Sequence, residues 1–453
     1  MSNYWNKNFT LLCFLIFGAA TSFAQPKDNA PYSRFGLGDP LNQFFSSAAG
    51  MGGLSATYAD PFHVNFLNPA SLGHLASATF EVGVFGENST LESNDLSQEI
   101  WSGNLNYISL GFPLQNNLNA VLNRKVKPVK WGMNIALLPY TNVDYEVQTE
   151  GPHPVNDTLD VLNIFEGNGG TNRLIWSNGW KYKNFSGGIN MGLIFGKLEK
   201  DRSAIFQNLD ASYDDRFTDD ISVSGFVWSV GAQYQLLLNK EEYEKSKNLG
   251  DKKSLIFGLY GNSKTGFKTT NDRLAIGINS RLGSLGVDTL VNEQIISKDN
   301  KLPAEFTAGV MYEHIGKLRV GFEYSIGKWS GYVNEATGEG TPDGIQFSDS
   351  QRISAGLEWI PDATSYNSFL KRVRYRFGAY YHDDPRLEDL KNTGISFGLG
   401  LPIVLPRQQT SFVNIAFEYG KFGISDSIEE KYFRTTIGFT LNDNSWFFKR
   451  KFN

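Results

Sequence analysis

The chain has 453 residues, a formal net charge of −5, 41% hydrophobic and 14% aromatic residues, and one cysteine. That length exceeds a usual single core, the lack of a basic excess argues against nucleic acid, and a lone Cys13 excludes a disulfide framework or a thiolate metal site. No stretch after residue 24 approaches the roughly 18 apolar residues of a membrane helix, so any membrane crossing must be made by strands.

The N-terminus has the layout of an export signal. Lys7 gives a positive start, Phe9 to Ala20 is apolar, and Thr21-Ser22-Phe23-Ala24 is a small-residue cleavage site before Gln25. Residues 1–24 are expected to be a signal peptide. Leu12 before Cys13 does not suit a lipoprotein site, so the mature chain is expected to lack cysteine. Pro26 to Phe45 is expected to be an irregular periplasmic lead.

Ser46 to Leu75 is rich in small residues and has no sustained period. Gly50, Gly52 and Gly53 allow tight backbone and close packing. Pro61 and Pro69 each remove a donor. A compact irregular segment of this kind must find hydrogen-bond partners outside itself. From Ala78 to the end the chain reads as strand after strand. Leu318, Val320, Phe322, Tyr324 and Ile326 alternate with Lys317, Arg319, Gly321, Glu323 and Ser325. Val373 to Tyr381 and Phe433 to Leu441 alternate in the same way. Many runs reach the roughly 9–11 residues that cross a bilayer at a tilt. The fold class expected is all-β: a transmembrane antiparallel barrel of about 14 strands over residues 78–442, plugged by an N-terminal hatch within residues 25–77. The strands are expected to begin near Thr79, Asn104, Lys130, Phe185, Arg202, Asp220, Ser254, Pro303, Leu318, Arg352, Val373, Gly394, Ser411 and Tyr432.

Lys197 to Asp201, His314 to Lys317 and Pro406 to Gln409 read as short periplasmic turns. Gly151 to Lys183, Phe267 to Leu302 and Trp329 to Ser350 read as long outer loops, with a short helix over Gly167 to Tyr182. Gln115 to Val129, Leu238 to Lys253 and Pro361 to Lys371 read as long periplasmic turns, the second charged and helical. Residues 443–453 form an aromatic and basic periplasmic tail.

The segment Ala49-Gly50-Met51-Gly52-Gly53, with Tyr58-Ala59-Asp60 and then Asn68-Pro69-Ala70 after it, resembles the hatch of the FadL family of outer-membrane transport proteins in order and spacing. Tyr32-Ser33-Arg34-Phe35-Gly36-Leu37-Gly38-Asp39 and the C-terminal tail resemble Bacteroidetes members. The resemblance implies an outer-membrane location and passive uptake of a hydrophobic molecule such as a long-chain fatty acid, through a hatch-gated lumen and a lateral opening. The hatch residues are then Gly50, Gly52, Gly53, Asn68, Pro69 and Ala70. Some barrels of this family in Bacteroidetes instead serve as fixed subunits of secretion or surface-assembly complexes, so the partners implied are outer-membrane lipid, a hydrophobic ligand or other outer-membrane proteins.

Pro139 interrupts Trp131 to Tyr145, where proline removes a ladder bond. The strand either bends there above the membrane or, as the resemblance implies, marks the lateral opening. Arg319, Glu323, Glu358, Arg374, Arg376, Glu418 and Arg434 fall on polar, lumen-facing sides of late strands. They read first as a salt-bridge network that holds the hatch, and second as a clamp for a carboxylate head group. Asp214, Asp215, Asp219 and Asp220 lack a calcium-loop spacing. With five histidines and no nucleophile-elbow, Walker or dinucleotide motif, the chain reads as a non-enzyme without a metal or cofactor.

Overall fold

The computed structural model describes residues 30–93, 96–115, 128–153, 156–207, 213–246, 250, 252–279, 286–405, 409–425 and 427–443. The signal peptide, residues 25–29 and the tail beyond 443 lie outside the described residues, as do most of the expected turns Gln115 to Val129 and Pro406 to Gln409.

Fourteen antiparallel strands close into one barrel. They are β1 (Ala78–Ser93), β2 (Leu96–Pro113), β3 (Val129–His153), β4 (Asn156–Tyr182), β5 (Phe185–Phe206) and β6 (Asp214–Leu237). β7 is Lys253–Asn262 continued as Thr265–Ile278, and β8 is Val287–Leu302 continued as Glu305–His314. Then come β9 (Leu318–Gly327), β10 (Ser350–Trp359), β11 (Arg374–Asp383), β12 (Lys391–Leu405), β13 (Gln409–Gly423) and β14 (Ile428–Asp443). β14 closes on β1 from Ile428↔Ser93 to Asp443↔Ala78. The two split strands each serve as one: β6 pairs with both parts of β7, and β8 does the same.

Period-two alternation decides which face each residue takes. Val320 and Phe322 are 42% and 48% exposed, while Glu323, next along the strand, is 3% exposed. Trp131, Ile135, Trp176, Trp180, Phe226, Phe257, Phe377 and Phe433 join the same outward apolar belt. So continuous an apolar surface is stable only against lipid.

The strand count agrees with expectation through two compensating differences. Gly151 to Lys183 is not a loop with a helix; β4 runs through it. Leu174 and Trp176 point out and Ile175 is buried, which is strand alternation. The Gly167-to-Gly170 cluster gave the appearance of a loop. Conversely, Lys197 to Asp201 is no turn but the middle of β5. Strands β3 to β8 extend past the apolar belt, so a run of charges there does not end them. Phe267 to Leu302 likewise contains strand rather than a free loop. A short helix, Lys240–Ser246, lies between β6 and β7.

The N-terminal segment fills the lumen. The hatch core joins Phe45, Met51, Leu54, Tyr58 and Phe66 to Tyr107, Ala136 and Leu138 of the wall. The described part of the lead lies inside the barrel. Residues 30–41 lie in the opposite mouth, where Tyr32, Phe35 and Leu37 pack on Tyr332, Phe347, Phe422 and Tyr432. Ala30 N donates to Asp144 O at 2.7 Å and the Tyr32 hydroxyl to Ile428 O at 2.8 Å. An apolar lead with buried aromatics has more to gain inside the barrel than in water.

The wall meets the hatch through glycine. A Cβ on Gly132 or Gly179 would strike the backbone of Leu72 or Pro69, one on Gly258 that of Ala56, and one on Gly378 that of Met51 and Gly52. These strands present bare backbone so that hatch backbone can touch it. Gly378→Val is expected to leave the barrel folded but to unseat the hatch. Heat-modifiable gel mobility should persist while residues 46–75 become open to limited proteolysis; an unchanged digestion pattern would refute the close seating.

Candidate functional site

The site is the lumen between the hatch floor and the opposite mouth. The hatch is locally ordered by its own polar residues. The Asn68 side chain caps the 3-10 helix Pro69–His74 by accepting from Ala70 N at 3.1 Å, and donates to Ala56 O at 2.6 Å. Gly52 and Gly53 have φ of 67° and 85°, the left-handed region that favours glycine. Gly50 has an ordinary helical φ and instead packs on Gly398.

Donors left over in the hatch are met by the wall. Glu323 accepts from Ser55 N at 2.9 Å and Thr57 N at 3.1 Å. Glu81 accepts from Val64 N at 3.1 Å and faces His63 Nδ1 at 3.1 Å. Gly52 N donates to Ser396 Oγ at 3.0 Å.

The anticipated lumen charges divide into three groups. Arg319, Glu358, Arg374 and Arg376 converge with Asp60 of the hatch and Glu313 of β8. Asp60 Oδ2 takes Arg374 at 2.7 Å and Arg319 at 3.1 Å. Glu358 takes Arg376 at 2.7 Å and Arg319 at 3.0 Å, and Arg319 Nε reaches Glu313 at 2.9 Å. Arg376 is 1% exposed and Glu358 2%. Three guanidiniums thus meet three carboxylates, which is what burial of charge demands. Glu323 stands apart as the hatch clamp just described. Glu418 and Arg434 join a third group nearer the opposite mouth, where Arg434 Nε pairs with Glu87 at 2.7 Å and Tyr380 donates to Glu418 at 2.6 Å. Asp60 and Glu313 were not anticipated as network members. Asp60 and Arg374 are 314 residues apart in sequence, so no local pattern links them.

Burial alone would raise the Asp60 carboxyl, but Arg374 and Arg319 override it and hold it far below its ordinary 3.8. A depressed carboxylate contributes stability that is complete above its unfolded value and is lost as pH falls toward the folded one.

The wall is incomplete at Pro139. β2 and β3 pair only from Ile108↔Leu137 to Pro113↔Gly132. Beyond that point β3 still pairs with β4, with a register shift between Pro139 and Thr141. Its other edge is taken by the lead: Asp39 and Pro40 pair with Asn142 and Thr141, and Leu41 N donates to Tyr140 O at 3.0 Å. Gln43 Nε2 donates to Pro139 O at 2.7 Å. The lead is anchored in turn by Arg386, which pairs with Asp39 and donates to Tyr32 O at 3.1 Å, while Asp384 holds the guanidinium at 2.8 Å.

Two cavities lie over the hatch. One, about 280 Å³, is lined in part by Phe44, Phe66, Ile175, Met191, Trp228 and Phe306, with Arg173, Glu305, Glu323 and Arg352 as its charges. The other, about 330 Å³, is more charged and extends to Ser102, Gly103 and Asn104 of β2 and Asn142 of β3, the two sides of the wall gap. Pro40, Gln43, Phe44 and Arg352 border both. Arg352 stacks on Phe44 at 4.8 Å and Tyr380 at 4.2 Å and donates to Gly52 O at 3.2 Å. Among the described residues no group of three or more His, Cys, Asp or Glu could hold a metal. Asp219 is instead engaged by Arg273 at 2.8 Å and Asp220 by Lys197 at 3.2 Å.

The BamG family model matches residues 6–453. No curated protein matches the sequence. Among solved structures, the chain is similar to the Pseudomonas putida toluene transporter TodX (TM-score 0.57, 13% identity, covering 88% of this chain and 99% of that one). It is similar to the monoaromatic hydrocarbon channel CymD (0.56, 14%, 90% and 99%) and to the Ralstonia pickettii toluene transporter TbuX (0.54, 13%, 88% and 98%). At these identities the likeness is one of fold: a hatch-plugged outer-membrane barrel.

The floor network can be tested in two ways. Glu358→Gln removes one charge from two arginines and should cost about 3 kcal/mol in denaturant unfolding of the barrel in lipid vesicles; a change within error would mean the network contributes nothing to stability. The protease resistance of the hatch should be constant from neutral pH down to the ordinary carboxyl value of 3.8 and weaken below it, whereas Asp60→Asn should be weak throughout.

Proposed function

The chain belongs to the BamG family, and on that premise we propose that it passes a small hydrophobic molecule from its outer mouth sideways into the membrane. The observation that carries this reading is the missing β2–β3 pairing beyond Ile108 and Leu137, next to a cavity that reaches both sides of the gap. An open ladder in the middle of a barrel wall leaves unpaired backbone where lipid offers none, so it needs a reason. Pro139, which lacks a donor, and the lead strand that covers it make the gap tolerable when closed.

The apolar cavity sets the size of the cargo. About 280 Å³ exceeds the roughly 150 Å³ that suffices for benzene in an apolar protein cavity. A one-ring hydrocarbon fits, in keeping with the toluene carried by TodX and TbuX. The ligand enters from the outer mouth, rests among Phe66, Leu67 and Ile175, and passes Phe44 and Arg352 to the gap. Passage requires Asp39 to Gln43 to leave the β3 edge. The hatch itself need not open, since its floor is closed by paired charges.

A second reading is favoured by that same closure. With the floor neutralised and the gap covered, the barrel is a shut, rigid body, as a fixed subunit of an outer-membrane secretion or surface-assembly complex would be. The long strands beyond the apolar belt then supply the docking surface.

The test fixes the lead to the wall. Leu41→Cys with Tyr140→Cys places the pair on adjacent hydrogen-bonded backbone. Oxidation should reduce toluene uptake by cells carrying the barrel to that of cells without it, and reductant should restore it. If the reduced protein takes up no more than barrel-free cells, and an equimolar protein partner copurifies, uptake is refuted and the subunit reading stands.

A further inference from the structure

The hatch-side rim carries a cluster of cations that neither reading uses. Lys130 of β3 and Lys181 of β4 oppose each other across the ladder. The alternation that points Trp131, Trp180 and Tyr182 outward turns both lysines toward the lumen. Lys252, just before β7, completes the cluster. Lys181 Nζ donates to His74 Nδ1 at 3.3 Å and to Gln235 Oε1 at 3.5 Å, and Lys252 Nζ donates to the same Gln235 oxygen at 3.1 Å.

Two ammonium groups on one amide oxygen is an unusual economy of acceptors. Among the described residues no carboxylate pairs with Lys181 or Lys252, because the three arginines of the neighbouring floor already take Asp60, Glu358 and Glu313. Glu313 reaches the cluster through Gln235, whose amide nitrogen donates to it at 3.4 Å and to Ser254 at 3.2 Å. Those two bonds fix the amide oxygen toward the lysines. His74 is fixed likewise through Nε2 and Ser186 Oγ at 3.0 Å. Burial, then Lys181, Lys130 and Lys252, hold His74 well below its ordinary value, so it stays neutral and accepts. The result is two ammonium donors, Lys181 and Lys252, held in place by neutral groups with protons to spare, and a third, Lys130, paired with Lys181 across the ladder.

We propose that Lys130, Lys181 and Lys252 form a phosphate-binding site at the hatch-side mouth of the lumen, filled either by free phosphate or by a phosphate headgroup of the adjoining leaflet. An oxyanion there would make charge-assisted bonds to donors already aligned and would relieve the repulsion among them. The site is independent of the wall gap and holds whether the barrel conducts or not.

The reporter is Lys252. Burial pushes its ammonium below the ordinary value, Glu313 opposes that and Lys130 adds to it. Its acylation rate against pH, read by mass spectrometry on the intact barrel in uncharged detergent, tracks the neutral amine. Inorganic phosphate should slow acylation at pH 8 by roughly tenfold, one unit of midpoint shift, relative to chloride at equal ionic strength. Exposed Lys298 should not respond. Lys181→Met should remove most of the effect. Gln235→Glu supplies the anion internally, so it should slow Lys252 acylation without phosphate and abolish the response to it. Nanodiscs with phosphatidylglycerol that reproduce the protection without free phosphate identify the headgroup as the source; protection by free phosphate alone identifies the soluble ion. Equal slowing by chloride, or a phosphate effect undiminished in Lys181→Met and Gln235→Glu, overturns the proposal.

Discussion

Contact between the hatch backbone and the wall backbone is the constraint on which the rest depends. A peptide segment placed inside a barrel brings polar groups into a space with little water, and each must be met. Here the wall meets them by withdrawing its side chains at Gly132, Gly179, Gly258 and Gly378 and by offering Glu323, Glu81 and Ser396 between those points. Once the hatch is seated that closely, its one buried acid, Asp60, falls among the arginines of β9 and β11. The ion network is therefore a consequence of the seating as well as a brace for it.

The lead extends the same logic to the other mouth. The lead runs along the wall and takes a free edge of the gap, that of β3 beyond Leu137. Closing the gap with a strand satisfies both partners' backbone groups. It also couples the outer mouth to the wall, because Arg386 holds Asp39 and the Tyr32 carbonyl together. Mouth, gap and apolar cavity thus share one segment, residues 39–44. The hatch below them meets that segment at Phe44, which packs on the hatch core, and at Arg352, which stacks on Phe44 and donates to Gly52 O.

Charge is distributed to suit these roles. The floor is neutral and buried, the outer cavity is charged, and the hatch-side rim gathers lysines on neutral acceptors. Buried pairs of the floor kind are weak sources of net stability but costly to break. They fix one arrangement of hatch and wall.

The sequence by itself determined the class of fold and the hatch. Alternation over Leu318 to Ile326 assigns each residue to lipid or lumen, because a strand has only two faces. Gly52, Gly53 and Asn68-Pro69-Ala70 announce a compact turn-rich plug, since left-handed backbone and capping are local properties. Pro139 could be singled out because a missing donor is local too. Strand ends were harder: charges in β5 and glycines in β4 look like turns until it is known that these strands continue beyond the membrane. Only the tertiary structure decided that Asp60 meets Arg319 and Arg374, that the lead threads the outer mouth, and that Lys130, Lys181 and Lys252 converge. Those are relations between segments up to hundreds of residues apart, set by barrel closure, and no local period carries them.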